Sequence, residues 1–319
     1  MNTFSRLLVA TDGSGAADAA VETAVRLSVG RHDTTIRFVT AFERARLMAE
    51  YASAMTFAGS EAFDALRDSA HAALHAALAR SSAAQVDAEG TVREGDPVAE
   101  ILAEAVEWNA TCVVMGTHGR TGVARALLGS ITEETLRASA LPVLVVRANH
   151  PRRTPEKAGH ILCAIDDSLP ARAAYDTALA IARDRDVELE LLRVIPIDAD
   201  VAEAYEREGR DAGGVAQFYR QYESPLAALA EQARAGGVRA SARVIGAPDV
   251  GTAIVQYAAH CGADLIAMGT HARVGLSRAL LGSTSEYVLR HSDVPVLITA
   301  GGDKNVSGHR ESASATSGA

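Results

Sequence analysis

Three glycines, a serine and an aspartate suggest the first chemistry in this chain. Gly116, Gly119 and the pair Gly129-Ser130 fall between a predicted strand and a predicted helix. Backbone N–H groups that carry no side chains, gathered at a helix start, form an anion site. Thr11-Asp12-Gly13-Ser14 follows the first predicted strand and adds a carboxylate. Amides that take phosphate, beside a carboxylate that accepts bonds from ribose hydroxyls or base amino groups, suit a nucleotide. The glycine stretch also recurs. Met115 to Arg147 and Met268 to Ala300 agree without a gap at 19 of 33 positions, so the chain contains a duplication. The second copy keeps Gly269 and Gly282-Ser283 but places Ala272 where Gly119 stands in the first. Asp166 matches Asp12, and Val194 matches Ala41. His118 and His271 recur within the loops, as do Arg120 and Arg273; each pair either meets a ligand or serves the turn or solvent.

These residues need strands and helices to hold them. Arg6 to Ala10 is a short apolar run ending in a turn, and Ala16 to Val29 has apolar residues at helical spacing before Gly30. Thr35 to Ala41, Gln85 to Arg93, Thr111 to Met115 and Val143 to Val146 read as further strands. Helices are expected within 43–80, from Val98 to Trp108, and from Ile131 to Arg137. The same series returns after Asn149 to Lys157, a polar stretch with two prolines that reads as a linker. Alternation of this kind predicts parallel sheets covered by helices on both faces. Pro142 opens the last strand of the first repeat, which predicts an edge position. Ser130-x-x-Glu133 and Ser283-x-x-Glu286 read as capping boxes. In open parallel sheets a ligand lies beyond the carboxyl ends of the strands, where strand order reverses. For the order 3-2-1-4-5 the reversal is between strands 1 and 4, so Asp12 would face the Gly116–Gly119 loop, and Ala41 would offer backbone groups to a base.

Composition narrows the class. With 319 residues the chain holds two domains of ordinary size. The expected division is 1–148, a linker at 149–157, 158–300, and a small, polar, disordered tail at 301–319. A formal charge of -9 argues against nucleic acid and anionic membrane as partners. No apolar run reaches membrane-spanning length, and the N-terminus lacks a signal-peptide pattern. Cys112, Cys163 and Cys261 show no CxxC spacing, and small buried residues are the reading for the first two. The expectation is a reduced, cytoplasmic protein.

Competing motifs fail on particular residues. Gly13-Ser14-Gly15 begins like a dinucleotide fingerprint, but Asp18 stands where the third glycine belongs. There is no Walker A sequence. His71 and His75 have helical metal-ligand spacing without a third ligand nearby in sequence, which favours a solvated helix face.

The spacing Gly116-x2-Gly119-x9-Gly129-Ser130, the Thr11-Asp12 turn and the terminal strand Pro142 to Val146 resemble the universal stress protein family in its ATP-binding form. The whole chain except linker and tail is similar to two such domains in tandem. The resemblance implies an α/β fold of two doubly wound domains, each a five-stranded parallel sheet in the order 3-2-1-4-5. It implies ATP with a divalent cation, Mg2+ or Mn2+. It assigns binding to Ala10, Thr11, Asp12, Ala41, Met115, Gly116, His118, Gly119, Gly129, Ser130, Ile131 and Thr132. In the second repeat the matching set is Asp166, Val194, Gly269, His271, Gly282 and Ser283. If the position of Ala272 needs positive φ or close approach to phosphate, alanine's Cβ is costly; the expectation is ATP in the first repeat and weak or no binding in the second.

No nucleophile with an adjacent base is apparent, so a nucleotide-dependent regulatory module is expected rather than an efficient enzyme. A slow ATPase or phosphoryl or nucleotidyl transferase, and a scaffold that binds no nucleotide, are the alternatives. The partner of such a module is an unidentified regulatory protein. Terminal strands Val143 to Val146 and Val296 to Thr299 are expected to pair, either within the chain or across a homodimer.

Overall fold

The computed structural model describes residues 2–43, 59–117, 128–148, 159–198, 200–201, 213–270 and 281–300. His118, Gly119, Arg120, His271, Ala272, Arg273, the linker and the tail lie outside the described residues.

The first repeat runs β1 (Arg6–Ala10), α1 (Gly15–Ser28), β2 (Thr35–Phe42), α2 (Gly59–Ala83), β3 (Ala88–Glu94), α3 (Pro97–Glu107), β4 (Cys112–Thr117), α4 (Ser130–Ala138) and β5 (Val143–Arg147). The second runs β6 (His160–Ala164), α5 (Leu169–Arg185), β7 (Glu188–Pro196), α6 (Gly213–Ala235), β8 (Ala240–Ala247), α7 (Val250–Cys261), β9 (Leu265–Thr270), α8 (Ser283–His291) and β10 (Val296–Ala300). Short aliphatic strands such as Leu7-Leu8-Val9, buried without residual exposure, require cover on both faces. The helices supply it.

The strands form one ten-stranded sheet in the order β3-β2-β1-β4-β5-β10-β9-β6-β7-β8. Each repeat contributes a parallel set, and antiparallel pairing of β5 with β10 joins them, with Leu297 opposite Leu144. Side chains alternate between faces, so two cores form and both cross the junction. Leu7, Phe38 and Leu144 share one with Ile161, Leu191 and Leu297. Leu8, Val39 and Val145 share the other with Leu162, Leu192 and Val296. Helix ends reinforce the junction. Arg31 pairs with Asp184 at 2.7 Å, and Arg185 Nη1 donates to the Leu27 carbonyl at 2.6 Å.

The edge position expected for the strand after Pro142 is corrected: β5 is interior, between β4 and β10. Pro142 precedes the strand, so its missing N–H removes no ladder bond, and its carbonyl still accepts from Val113 N at 3.0 Å. The pairing of terminal strands takes place within the chain. Expressed alone, residues 1–148 would therefore expose β5 as an unpaired apolar edge. The expected result is self-association through β5, with a sedimentation mass about twice that of the fragment; a strictly monomeric fragment would contradict it.

The capping boxes are also corrected. The N-caps of α4 and α8 are Gly129 and Gly282, with no side-chain cap hydrogen bond. Ser130 and Ser283 are already the first helical residues. Glu133 and Glu286 turn along the helix to Arg137 and Arg290 one turn on, an i,i+4 arrangement that competes with reaching back to the cap.

Candidate functional site

The carboxyl ends of β1 and β4 part where the strand order reverses, and α4 starts beside them. A cleft of about 120 Å³ opens there, lined by Ala10, Thr11, Asp12, Ala41, Met115, Gly116, Gly129, Ser130, Ile131 and Thr132. Ten of the residues assigned from sequence thus meet at one place. Ordinary ligand pockets are about 300 Å³ or more, so the described cleft is smaller than one.

Each wall has a local cause. Asp12 sits exposed at the rim, and its Oδ1 accepts from Ser14 N at 2.9 Å, an Asx turn that fixes the carboxylate beside the cleft. Gly13 has φ +74°, which lets the chain turn from β1 into α1. Ser14 then caps α1 by accepting from Ala17 N at 3.2 Å. Thr132 Oγ1 donates to the Gly116 carbonyl at 2.8 Å and ties the start of α4 to the end of β4.

Gly116 has a structural reason of its own. A Cβ there would lie 2.1 Å from the Ala16 carbonyl oxygen and 2.7 Å from Ala17 N. Glycine is needed because the first turn of α1 lies against the strand end, whatever the cleft holds. Gly269 repeats this against Pro170 and Ala171, where Cβ would come within 2.3 Å of backbone.

The helix caps set α4, and its counterpart α8, apart from four other helix starts. Ser14, Asp96, Ser168 and Asp249 cap α1, α3, α5 and α7 with side-chain acceptors. At α4 no side chain takes that place, and the first-turn residues Ser130, Ile131 and Thr132 line the cleft. The positive end of the helix dipole is left for an anion. Sequence reading missed Ser14, Ala16, Ala17, Val39, Pro97 and Ile101 in the lining. Of these, Pro97 carried a signal, since the Gly95-Asp96-Pro97 turn follows the strand next to β2.

The second repeat places Asp166, Val194, Gly269, Gly282 and Ser283 at the corresponding ends of β6, β7, β9 and α8. Asp166 Oδ1 accepts from Ser168 N at 2.9 Å, as Asp12 does from Ser14. The neighbours differ. Ile165 stands where Thr11 does, Val194 where Ala41 does, and Asp167 where Gly13 does. Asp167 is held at 2.7 Å by Arg193, whose guanidinium lies 5.3 Å from the Tyr222 ring centre. Because β5 and β10 are antiparallel, the carboxyl ends of β4 and β9 point in opposite directions from the junction. The two places cannot share one ligand.

His71 and His75 are exposed on α2. Burial pushes the Cys112 thiol up to about 12 and raises Cys163 as well, so neither is a thiolate near neutral pH. Among the described residues, no helix is long and apolar enough to cross a membrane.

The universal stress protein family model matches residues 3–147 and again residues 157–300. A universal stress protein of Mycobacterium tuberculosis is 34% identical over 194 residues, covering 59% of this chain and 61% of that protein. This chain thus spans less than two thirds of that relative's length. A universal stress protein of Bacillus subtilis is 26% identical over 148 residues, 45% of this chain and 99% of its own. The crystal structure of a universal stress protein from Archaeoglobus fulgidus superposes with a TM-score of 0.70, at 23% identity, covering 94% of this chain and 99% of that one. That likeness establishes the fold.

Proposed function

Because the chain belongs to the universal stress protein family, we propose that its first repeat binds ATP in the cleft between β1, β4 and α4. The observation that carries this reading is the start of α4, where Gly129 replaces a side-chain cap and the first-turn residues line the cleft. Phosphate oxygens would take the bonds that a serine or aspartate supplies at α1, α3, α5 and α7. Asp12 is the one carboxylate among the described lining residues and would accept from ribose or base. Ala41 and Val39, on β2, would bound the base.

A divalent cation, Mg2+ or Mn2+, would travel with the phosphates and offset their charge. The described lining has no nucleophile paired with a base. Its chemistry is that of binding, and the bound nucleotide acts by favouring the conformation that holds it, which shifts engagement of a regulatory protein. In the second repeat, Ile165, Asp167 and Val194 stand where Thr11, Gly13 and Ala41 do, Asp167 is engaged by Arg193, and Ala272 replaces the second glycine of the loop. We assign it weak binding or none.

Titration of the intact chain with ATP and Mg2+ is expected to show about one equivalent bound. Asp12→Ala removes a hydrogen bond to a charged group, a loss of about 1.5–3 kcal/mol, or roughly 10- to 100-fold in Kd. Asp166→Ala is expected to leave the Kd unchanged. Binding untouched by Asp12→Ala would remove the assignment; equal losses from both variants would remove the asymmetry.

A further inference from the structure

We infer that the second repeat carries a divalent-metal site of the zinc class, formed by His160, Glu190 and Cys261. The site lies at the amino end of β6, away from the nucleotide cleft. One ring nitrogen of His160, a carboxylate oxygen of Glu190 and Sγ of Cys261 lie within 4.8 Å of one another. His160 Nε2 is 3.2 Å from Glu190 Oε2, at an angle that leaves this buried nitrogen without an aligned hydrogen bond. Zinc bonds of about 2.0–2.3 Å in a tetrahedron separate ligand atoms by roughly 3.3–3.6 Å. The nitrogen and oxygen already stand near that separation, and rotation about the Cys261 Cα–Cβ bond can bring the sulfur in.

The surrounding bonds point the ligand atoms inward. His160 Nδ1 lies 3.3 Å from the Cys261 carbonyl; as donor to it, Nδ1 carries the proton and the Nε2 lone pair is left for a metal. Metal-binding histidines are held this way, the other ring nitrogen donating to a carbonyl or carboxylate. Tyr257 donates its hydroxyl to Glu190 Oε1 at 2.5 Å, which leaves Oε2 on the His160 side. Arg243 lies against the Tyr257 hydroxyl and adds a nearby cation to this outer shell.

Comparison of the two repeats shows that the fold does not require this set. Arg6, Arg37 and Trp108 occupy the corresponding places in the first repeat, with Glu104 where Tyr257 stands. There the guanidinium carbons of Arg6 and Arg37 lie 4.3 and 5.2 Å from the Trp108 ring centre. Trp108 Nε1 donates to Glu89 at 2.6 Å, and Arg37 pairs with Glu89 at 2.8 Å. That cluster is closed by its own partners. The second repeat replaces a stacked brace with imidazole, carboxylate and thiol.

A thiol with an imidazole selects zinc or cobalt over magnesium or calcium. Binding releases the Cys261 thiol proton, and the imidazolium proton when present, to solvent as the metal–sulfur and metal–nitrogen bonds form. The fourth position takes water. His160 also lines a cavity of about 690 Å³ between the repeats.

The test is Co2+ added to the full-length, metal-free protein. The expected result is a thiolate-to-cobalt absorption band that saturates near one equivalent and is displaced by Zn2+. Cys112 and Cys163 are fully buried, so Cys261 is the thiol positioned to give it. Cys261→Ser should abolish the band. His160→Gln and Glu190→Gln should each weaken Co2+ binding by more than about tenfold. Circular dichroism without metal should match the parent for each variant. No band in the parent protein, or a band that survives Cys261→Ser, would overturn the inference; so would metal affinity unchanged in both His160→Gln and Glu190→Gln.

Discussion

Gly116→Ala is expected to destabilise the chain by about 3 kcal/mol, the upper part of the range for overpacking, or to prevent folding. The new Cβ would sit 2.1 Å from the Ala16 carbonyl oxygen. The obstructing atoms are backbone in the first turn of α1, so no side chain can rotate away. Either α1 must lift from β4, uncovering Leu7, Val9 and Val114 in the core beneath, or β4 must bend. Gly269→Ala should behave alike in the second repeat, with Cβ 2.3 Å from the Pro170 carbonyl carbon. Gly282→Ala is the control: no atom lies within 4 Å of its Cβ, and its φ of -59° suits any residue. Its change should stay below about 1 kcal/mol, the cost of exchanging glycine for alanine at a helix N-cap. Denaturant midpoints of the three variants measure this. If Gly116→Ala unfolds at the parent midpoint, the close approach of α1 to β4 is wrong. The result also bears on nucleotide binding, because loss of ATP affinity in Gly116→Ala would follow from a displaced helix without any lost phosphate contact. Asp12→Ala is the cleaner probe.

Glu104→Ala is expected to cost about 2–3 kcal/mol, somewhat below the usual 3–5 for breaking a buried ion pair. Glu104 is 2% exposed and accepts from Arg37 at 2.6 Å and from Arg93 Nε at 2.7 Å. Its removal leaves two guanidinium groups without their buried partner. The discount reflects their remaining partners: Arg37 keeps Glu89, and Arg93 keeps Glu107 and Glu100. Both arginines also reach solvent, with side chains about a quarter exposed at 25% and 23%. Glu104→Gln keeps the shape and an acceptor and should lose less. Thermal or urea denaturation checks the order parent, glutamine, alanine. A Glu104→Ala variant as stable as the parent would mean that the arginines are held by their outer partners alone.

Much of this molecule is written in short-range pattern. The duplication, the alternation of aliphatic strands with amphipathic helices, and the glycine stretch beyond β4 depend on neighbours a few residues apart. Ten residues that the family resemblance assigned line one cleft. Local pattern misled where two local uses of a residue compete. Ser130-x-x-Glu133 has the letters of a capping box, yet Gly129 is the N-cap, Ser130 is already helical and Glu133 turns to Arg137. Pro142 suggested an edge, yet it stands just outside the ladder it would have interrupted.

By itself the sequence determined the strand and helix series, its repetition, and the placing of the Thr11-Asp12 turn and the glycine stretch after strand ends; the fuller set beyond the carboxyl ends of β1 and β4 was implied by the family resemblance. Periodicity and spacing are local, and a parallel sheet turns local order into a predictable crevice. Only the tertiary structure decided that β5 and β10 join the repeats into one sheet, because two apolar strand edges in one chain can pair with each other or with another copy. It also decided that Gly116 answers to the backbone of α1, a contact made by residues far apart in the chain. Last, it brought His160, Glu190 and Cys261 together from three separate elements, β6, β7 and the end of α7. No spacing in the sequence marks them as a set, because their proximity arises from the register between strands and the seat of a helix upon them.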